Sequence, residues 1–277
     1  MRNTGIAPGD LPQGSVDCHA HVIKKNLPLA TERHSQPARD ASVRDYLDTL
    51  TAHGVAYGLL TAPSFYGANN QVLLEALRAS EGRLRGTAIV EPDIGEDALA
   101  AMQRDGVCGI RLNWVKRQAI PDIRSREYQG LLAKARNLGL HIEVYLEGEH
   151  LPPVLAAIRA SGARAVIDHF GHPPGSDGER SEGFTALLDA LAAGNTWVKL
   201  SAPFRLRGSD PRALAARIIQ QSNGERAVWA TDWPWVGHED TMTYRQCIES
   251  LFECVPDETI RNRILTENAY EAFGIRA

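Results

Sequence analysis

Cysteine is scarce in this 277-residue chain: there are four, at positions 18, 108, 247 and 254, with no CxxC spacing among them. That argues against a zinc knuckle or a disulfide framework. No basic run occurs and the formal net charge is a mild −4, so no nucleic-acid partner is expected. No apolar stretch approaches the length that spans a bilayer, so no membrane partner is expected either. The opening MRNTGIAPGDLPQGS lacks the apolar h-region of a signal peptide. Residues 1–14 read as a flexible lead-in, and the cytoplasm is the default location. What remains, 43% hydrophobic and 23% charged, is ordinary for a globular protein.

The organisation repeats: strand, loop, helix, glycine. Helix-like runs end at Gly54, Gly106, Gly139, Gly162 and Gly194, where glycine accepts the left-handed backbone that closes a helix. Short apolar or β-branched runs follow, and with SVDCHAHV, RGTAIVEP and RAVWATDW they make eight candidate strands. The segments between have helical spacing; in VRDYLDTL, Val43, Tyr46, Leu47 and Leu50 share one face. Eight alternating units imply parallel strands and a (β/α)8 TIM barrel, an α/β fold. No GxGxxG follows the first strand, which disfavours a doubly wound dinucleotide fold. Residues 15–277 read as a single domain, with C-terminal helices from about residue 239 packed outside the barrel.

In such a barrel the chemistry sits at the C-terminal ends of the strands. His19 and His21 end the first; in an extended strand they face one way, while Cys18 and Ala20 face the other. Arg111 and Asn113 end the fourth, with Arg117 just beyond, and Tyr145 ends the fifth. Asp168 and His169 end the sixth, followed by His172. The seventh runs through Lys199 and Ser201 toward Arg205, and the eighth closes on Asp232. His141 begins a strand and His53 ends a helix, so both read as structural; His34, His150 and His238 read as loop residues without a role.

The runs VDCHAHV, GIRLNWVKR, IDHFGHP, WVKLSAPFR and WATDWPW, in this order, resemble the amidohydrolase superfamily. More narrowly, they resemble its 2-pyrone-4,6-dicarboxylate lactonase branch. The resemblance implies a barrel enzyme that hydrolyses a small carboxylated lactone without a divalent metal. It implies that His19, His21, Tyr145, His169 and Asp232 surround the reacting carbonyl, and that Arg111, Arg117 and Arg205 hold substrate carboxylates. The branch has a further arginine where this chain has His172, so a second carboxylate is expected to be absent or held less tightly.

Three ligands, His19, His21 and Asp232, could hold Zn2+ or Mn2+. Against that, Tyr145 stands where the wider superfamily has a ligating histidine, and a neutral phenol is a poor ligand. Three nearby arginines also disfavour a dication. The reading is a vestigial metal site that now handles protons, with no cofactor required. Asp232 is the candidate base toward water, and the three histidines are candidate donors to the developing oxyanion. Forked arginine donors suit carboxylates, and Asn113 joins them in binding substrate. Lys199 reads equally as a buried ion-pair partner or a substrate contact. Trp114, Trp233 and Trp235 read as pocket wall or core, and GSDGERSEG as a plain loop rather than a lid. A metal-dependent decarboxylase or hydrolase and a sugar-diacid lactone isomerase are the alternatives; a homo-oligomer stays open.

Overall fold

Eight parallel strands pair in chain order, each with the next. They are β1 (Val16–Ala20), β2 (Tyr57–Thr61), β3 (Leu84–Ala88), β4 (Val107–Asn113), β5 (His141–Tyr145), β6 (Arg164–Ile167), β7 (Thr196–Leu200) and β8 (Ala227–Trp229). Seven helices connect them: α1 (Val43–Ala52), α2 (Gln71–Ala79), α3 (Glu96–Arg104), α4 (Arg126–Leu138), α5 (Leu151–Ser161), α6 (Glu182–Ala192) and α7 (Pro211–Ser222). Then come α8 (Tyr244–Cys254), α9 (Glu258–Leu265) and α10 (Glu267–Phe273). The fold is the expected (β/α)8 barrel, seen in a computed structural model that describes residues 11–206 and 208–275. Among the described residues no helix is long and apolar enough to cross a membrane.

The local signals act where they were read. Gly54, Gly106, Gly139, Gly162 and Gly194 all take positive φ after their helices. Ser42 and Thr243 open α1 and α8 with reciprocal capping boxes. Helix α1 buries Tyr46 and Leu50, one turn apart, against the outside of the barrel. Of the lead-in, residues 1–10 lie outside the described residues; Leu11 is buried, and the Tyr270 hydroxyl donates to Gly14 O at 2.7 Å. The GSDGERSEG segment runs from the loop after β6 into the first turn of α6. It contains one 3-10 turn at Gly178–Arg180, and the Ser209 hydroxyl donates to Gly175 O.

The barrel closes beyond β8. The Asp232 amide donates to His19 O at 2.8 Å, and the His21 amide to Trp233 O at 2.7 Å. A single parallel bridge pairs Ala20 with Trp233. Strict alternation along β1 fails, because the register with β2 slips between Asp17 and Ala20. A bulge lets two successive residues share a face. Cys18 therefore joins Val16, Leu59, Val166 and Val228 in an interior apolar cluster, while His19 also turns inward. Asp17 points outward to the Tyr244 hydroxyl of α8.

The barrel interior is layered. The floor is that apolar cluster, covered by Ala269, Ala272 and Phe273 of α10, so α10 plugs the N-terminal mouth rather than packing on the outer wall. His141 lies in the floor against Phe273, ring centroids 5.2 Å apart, as its structural reading required. Polar side chains fill the levels above. The first turn of α6 meets the chain after β5 so closely that a Cβ on Gly183 would lie 1.8 Å from Gly148 O. Alanine would otherwise favour a helix over glycine by about 1 kcal/mol. Because backbone cannot give way as a flexible side chain does, Gly183→Ala should destabilise by about 1–3 kcal/mol. Urea unfolding that showed a gain in stability would contradict this packing.

Candidate active site

The middle layer is ionic. Lys199, on β7 and fully buried, donates to Glu143 Oε2 at 2.6 Å and lies 3.1 Å from Asp168 Oδ1 and 3.0 Å from His19 Nδ1. Arg111 of β4 donates through Nη2 to Asp168 Oδ2 at 2.8 Å and through Nη1 to Ala62 O at 3.0 Å, with Nε 3.1 Å from Glu143 Oε1. Thr87 of β3 adds a hydroxyl to Glu143 Oε2 at 3.1 Å. Burial works against the charge of Lys199, but the Asp168 and Glu143 carboxylates outweigh it and raise its pKa. Burial likewise pushes Asp168 up, yet Lys199 and Arg111 hold its carboxyl well below the usual range. Of the two readings for Lys199, the ion pair is the one observed.

Above this layer lies a chamber of about 40 Å³. His21, Arg111, Asn113, Tyr145, His169, Arg205 and Asp232 line it, together with Ser64 and Phe65. Asp232 is its centre. Its Oδ2 accepts from Arg205 Nε at 2.6 Å, while Oδ1 faces Nε2 of His21 and of His19 at 3.4 and 3.6 Å. Burial pushes the Asp232 carboxyl up, but the Arg205 guanidinium beside it holds it well below its ordinary value. Burial pushes His169 down to about 3, so its ring is neutral, with Nδ1 on the Ser201 hydroxyl at 2.8 Å. Burial pushes the Tyr145 phenol up to about 12, which keeps its proton in place, edge-on to His169 at 4.8 Å.

Several sequence expectations change in detail. Arg111, expected to take a substrate carboxylate, already directs Nε, Nη1 and Nη2 at partners within the protein and offers the chamber only an edge. Arg117 lies outside the chamber, in an adjoining cleft of about 630 Å³ that Trp114 and Tyr128 also line, 3.8 Å from Glu32. His172 sits beside the Tyr145 ring at 5.6 Å and is not among the chamber's lining residues. His19 is wholly buried beneath the chamber, linking Asp232 to the ionic layer. His21, expected as a donor, gives its Nδ1 proton to Thr61 O at 2.7 Å, because a carbonyl only accepts. Its Nε2 is then the nitrogen that faces Asp232 Oδ1, and it does so as a lone pair whenever the ring is neutral.

Two residues escaped the sequence reading. Glu143 lies between His141 and Tyr145 with the same inward parity, a signal that the HIEVY run did carry. His34, read as a bland loop residue, lines both the chamber and the cleft. Burial and the charges of Arg111, Lys116 and Arg205 push its pKa down to about 3. No local signal places it, since a loop's path depends on what it packs against.

The backbone around the chamber is unusual. His169, Phe170, His172, Ala202, Asp232 and Trp235 all have positive φ without being glycine. Such conformations cost of order 1–3 kcal/mol each and persist where surrounding structure enforces them, commonly at functional sites. Here they also end β6 and β8 early: His169 and Asp232 lie in turns beyond the strands, not on them.

One ligand atom each of His19, His169 and Asp232 lies within 4.8 Å of the others, so donors for a cation do converge, with His169 in place of the expected His21. The charge balance around them works against a dication. Three carboxylates, Glu143, Asp168 and Asp232, already face three cations, Lys199, Arg111 and Arg205. Two more positive charges would enter a buried, neutral cluster without compensation.

Comparison with known proteins gives the family. A family model described as Amidohydrolase matches residues 16–275. The chain is 31% identical to a 2-pyrone-4,6-dicarboxylate hydrolase of Comamonas testosteroni, over 95% of this chain and 91% of that protein. It is 25% identical to a 4-sulfomuconolactone hydrolase of Hydrogenophaga intermedia, over 95% and 90% of the two chains. A crystal structure of a candidate 2-pyrone-4,6-dicarboxylic acid hydrolase from Pseudomonas putida superposes with a TM-score of 0.88, 34% identity, and coverage of 96% and 100%.

The ionic layer makes a direct stability prediction. Glu143→Ala leaves Lys199 and Arg111 with one shared carboxylate, Asp168, in place of two. Breaking a buried ion pair in this way costs about 3–5 kcal/mol. Denaturant unfolding should show that loss; a change below about 1 kcal/mol, the scale of a surface pair, would mean the layer does not act as a unit.

Proposed function

The chain belongs to the amidohydrolase family, and within it we propose a lactone hydrolase that opens a small carboxylated lactone with water activated by Asp232. The observation that carries this reading is the setting of Asp232. One carboxylate oxygen is held by Arg205, and the other is turned toward two imidazole nitrogens at the base of the chamber.

Water between Asp232 Oδ1 and the lactone carbonyl gives its proton to the carboxylate as its oxygen attacks carbon. The proton enters a space between two acceptors, Oδ1 and the His21 lone pair, so the pair can hold it between steps. Negative charge develops on the carbonyl oxygen. The Tyr145 hydroxyl and the neutral His169 ring flank the chamber and supply donors there. The ring C–O bond then breaks, and the stored proton passes to the departing enolate oxygen. A conjugated enolate leaves far more readily than an amide nitrogen, so its carbonyl needs less Lewis-acid help.

A substrate carboxylate bound at Arg205 competes with Asp232 for the same guanidinium. Asp232 then loses its strongest cation, and its basicity rises toward what a general base requires. Arg117 and Asn113 receive the rest of the substrate from the cleft. The similarity to the two lactone hydrolases supports the substrate class. The neutral charge balance of the site supports a reaction without a divalent metal. The four cysteines are free thiols, in keeping with the cytoplasm.

A screen of carboxylated lactones without added metal, following loss of pyrone absorbance, tests the activity. Asp232→Asn should lower kcat by about a hundredfold or more; near-normal turnover would move the base elsewhere. Protein stripped of metal should keep its full rate. A large loss restored by zinc would favour a metal-dependent hydrolase or decarboxylase instead.

A further inference from the structure

The Lys199 ammonium has three protons and, among the described residues, three acceptors around it: Glu143 Oε2, Asp168 Oδ1 and His19 Nδ1, at 2.6, 3.1 and 3.0 Å. His19 Nδ1 also lies 3.2 Å from Asp168 Oδ1, so two tautomers compete. If Nδ1 carried the proton, an N–H would face an ammonium at 3.0 Å and one buried lysine proton would lose its acceptor. If Nδ1 is bare, Lys199 has all three acceptors. Asp168 then gives up one long contact but keeps Lys199 and Arg111. We propose that Lys199 fixes His19 as the Nε2–H tautomer, so that His19 presents a proton rather than a lone pair to the reacting site.

The other side of the ring agrees. His19 Nε2 is buried without a hydrogen-bond partner, and Asp232 Oδ1 at 3.6 Å is beyond a normal hydrogen bond. A proton on Nε2 is thus uncommitted at rest and available to oxygen that gains charge in the chamber. His21 is locked in the opposite sense by Thr61 O. The two histidines of one HxH motif therefore become a donor and an acceptor on either side of Asp232. An imidazole that ligates metal through Nε2 needs a lone pair there, commonly with Nδ1–H donated to a carbonyl or carboxylate. Lys199 reverses that arrangement at His19, acting as a positioning residue that touches no substrate. The catalytic consequence rests on the hydrolase reading above; the tautomer does not.

The test is the 15N spectrum of the full-length protein labelled in histidine, with His19→Gln used only to assign the His19 signals. A pyridine-type Nδ1 and a pyrrole-type Nε2 are expected. The reverse pattern, or two pyrrole-type nitrogens, would overturn the proposal. In Lys199→Met combined with Glu143→Gln, which removes one charge of each sign, the proton should move to Nδ1 and bond Asp168; an unchanged spectrum would also overturn it. Should that double variant not fold, the wild-type spectrum decides by itself. Absence of lactone hydrolysis alongside the expected spectrum would refute the functional reading and leave this one standing.

Discussion

The Asp17 carboxylate lies buried in the seam where the barrel closes. It accepts from the Thr231 amide and hydroxyl at 2.9 and 2.6 Å and from the Tyr244 hydroxyl at 3.2 Å. Beside it the chain after β8 pairs with the end of β1, through the Asp232 amide on His19 O. A barrel without this seam would be an open sheet, and His19 and His21 would have no fixed relation to Asp232. The interactions that close the fold also set the distances between the base and its imidazoles. Fold closure and site geometry are one constraint here.

Beneath the chamber the same economy holds for charge. Burying an ion costs several kcal/mol unless it is paired and hydrogen-bonded. Lys199, Arg111, Glu143 and Asp168 meet most of that condition by facing one another, with Thr87 and Ala62 O adding hydrogen bonds, while Arg111 Nε and Glu143 Oε1 are held together by charge alone. A layer of this kind adds little net stability over an apolar one of equal volume. What it supplies is direction: its members donate and accept along fixed lines, and His19 inherits its orientation from Lys199. The apolar floor under α10 excludes water from below, so these interactions act in a low dielectric.

The chamber itself stands on strained backbone. Positive φ at His169 and Asp232 turns both side chains inward immediately beyond their strands, where regular β geometry would have carried the chain on. The stiff parallel strands enforce these turns, and the many inter-strand bonds of the barrel offset their cost. The small inner chamber and the larger outer cleft meet at His34, Ser64, Arg111 and Asn113. Recognition in the cleft and reaction in the chamber thus share a wall.

Much of this was legible without coordinates. The glycines after each helix, the eight apolar runs and the helical spacing between them are local features, and local backbone preference and burial suffice to read them. The position of His19 at a strand end, and of Asp168, His169 and Asp232 just beyond theirs, follows to within a few residues from counting along those runs. Tertiary structure alone decided what each polar group faces. The bulge that turns Cys18 inward beside His19 depends on pairing with β2, and the withdrawal of Arg111 into the ionic layer depends on Glu143 and Asp168 across the barrel. The arrival of His34 at the chamber depends on a loop path with no periodic signal. Sequence by itself determined which strand residues could reach the C-terminal mouth of this barrel, because strand order is one-dimensional. Which of them donate, accept or pair was decided by distances between strands far apart in the chain, because hydrogen bonds and charges act through space.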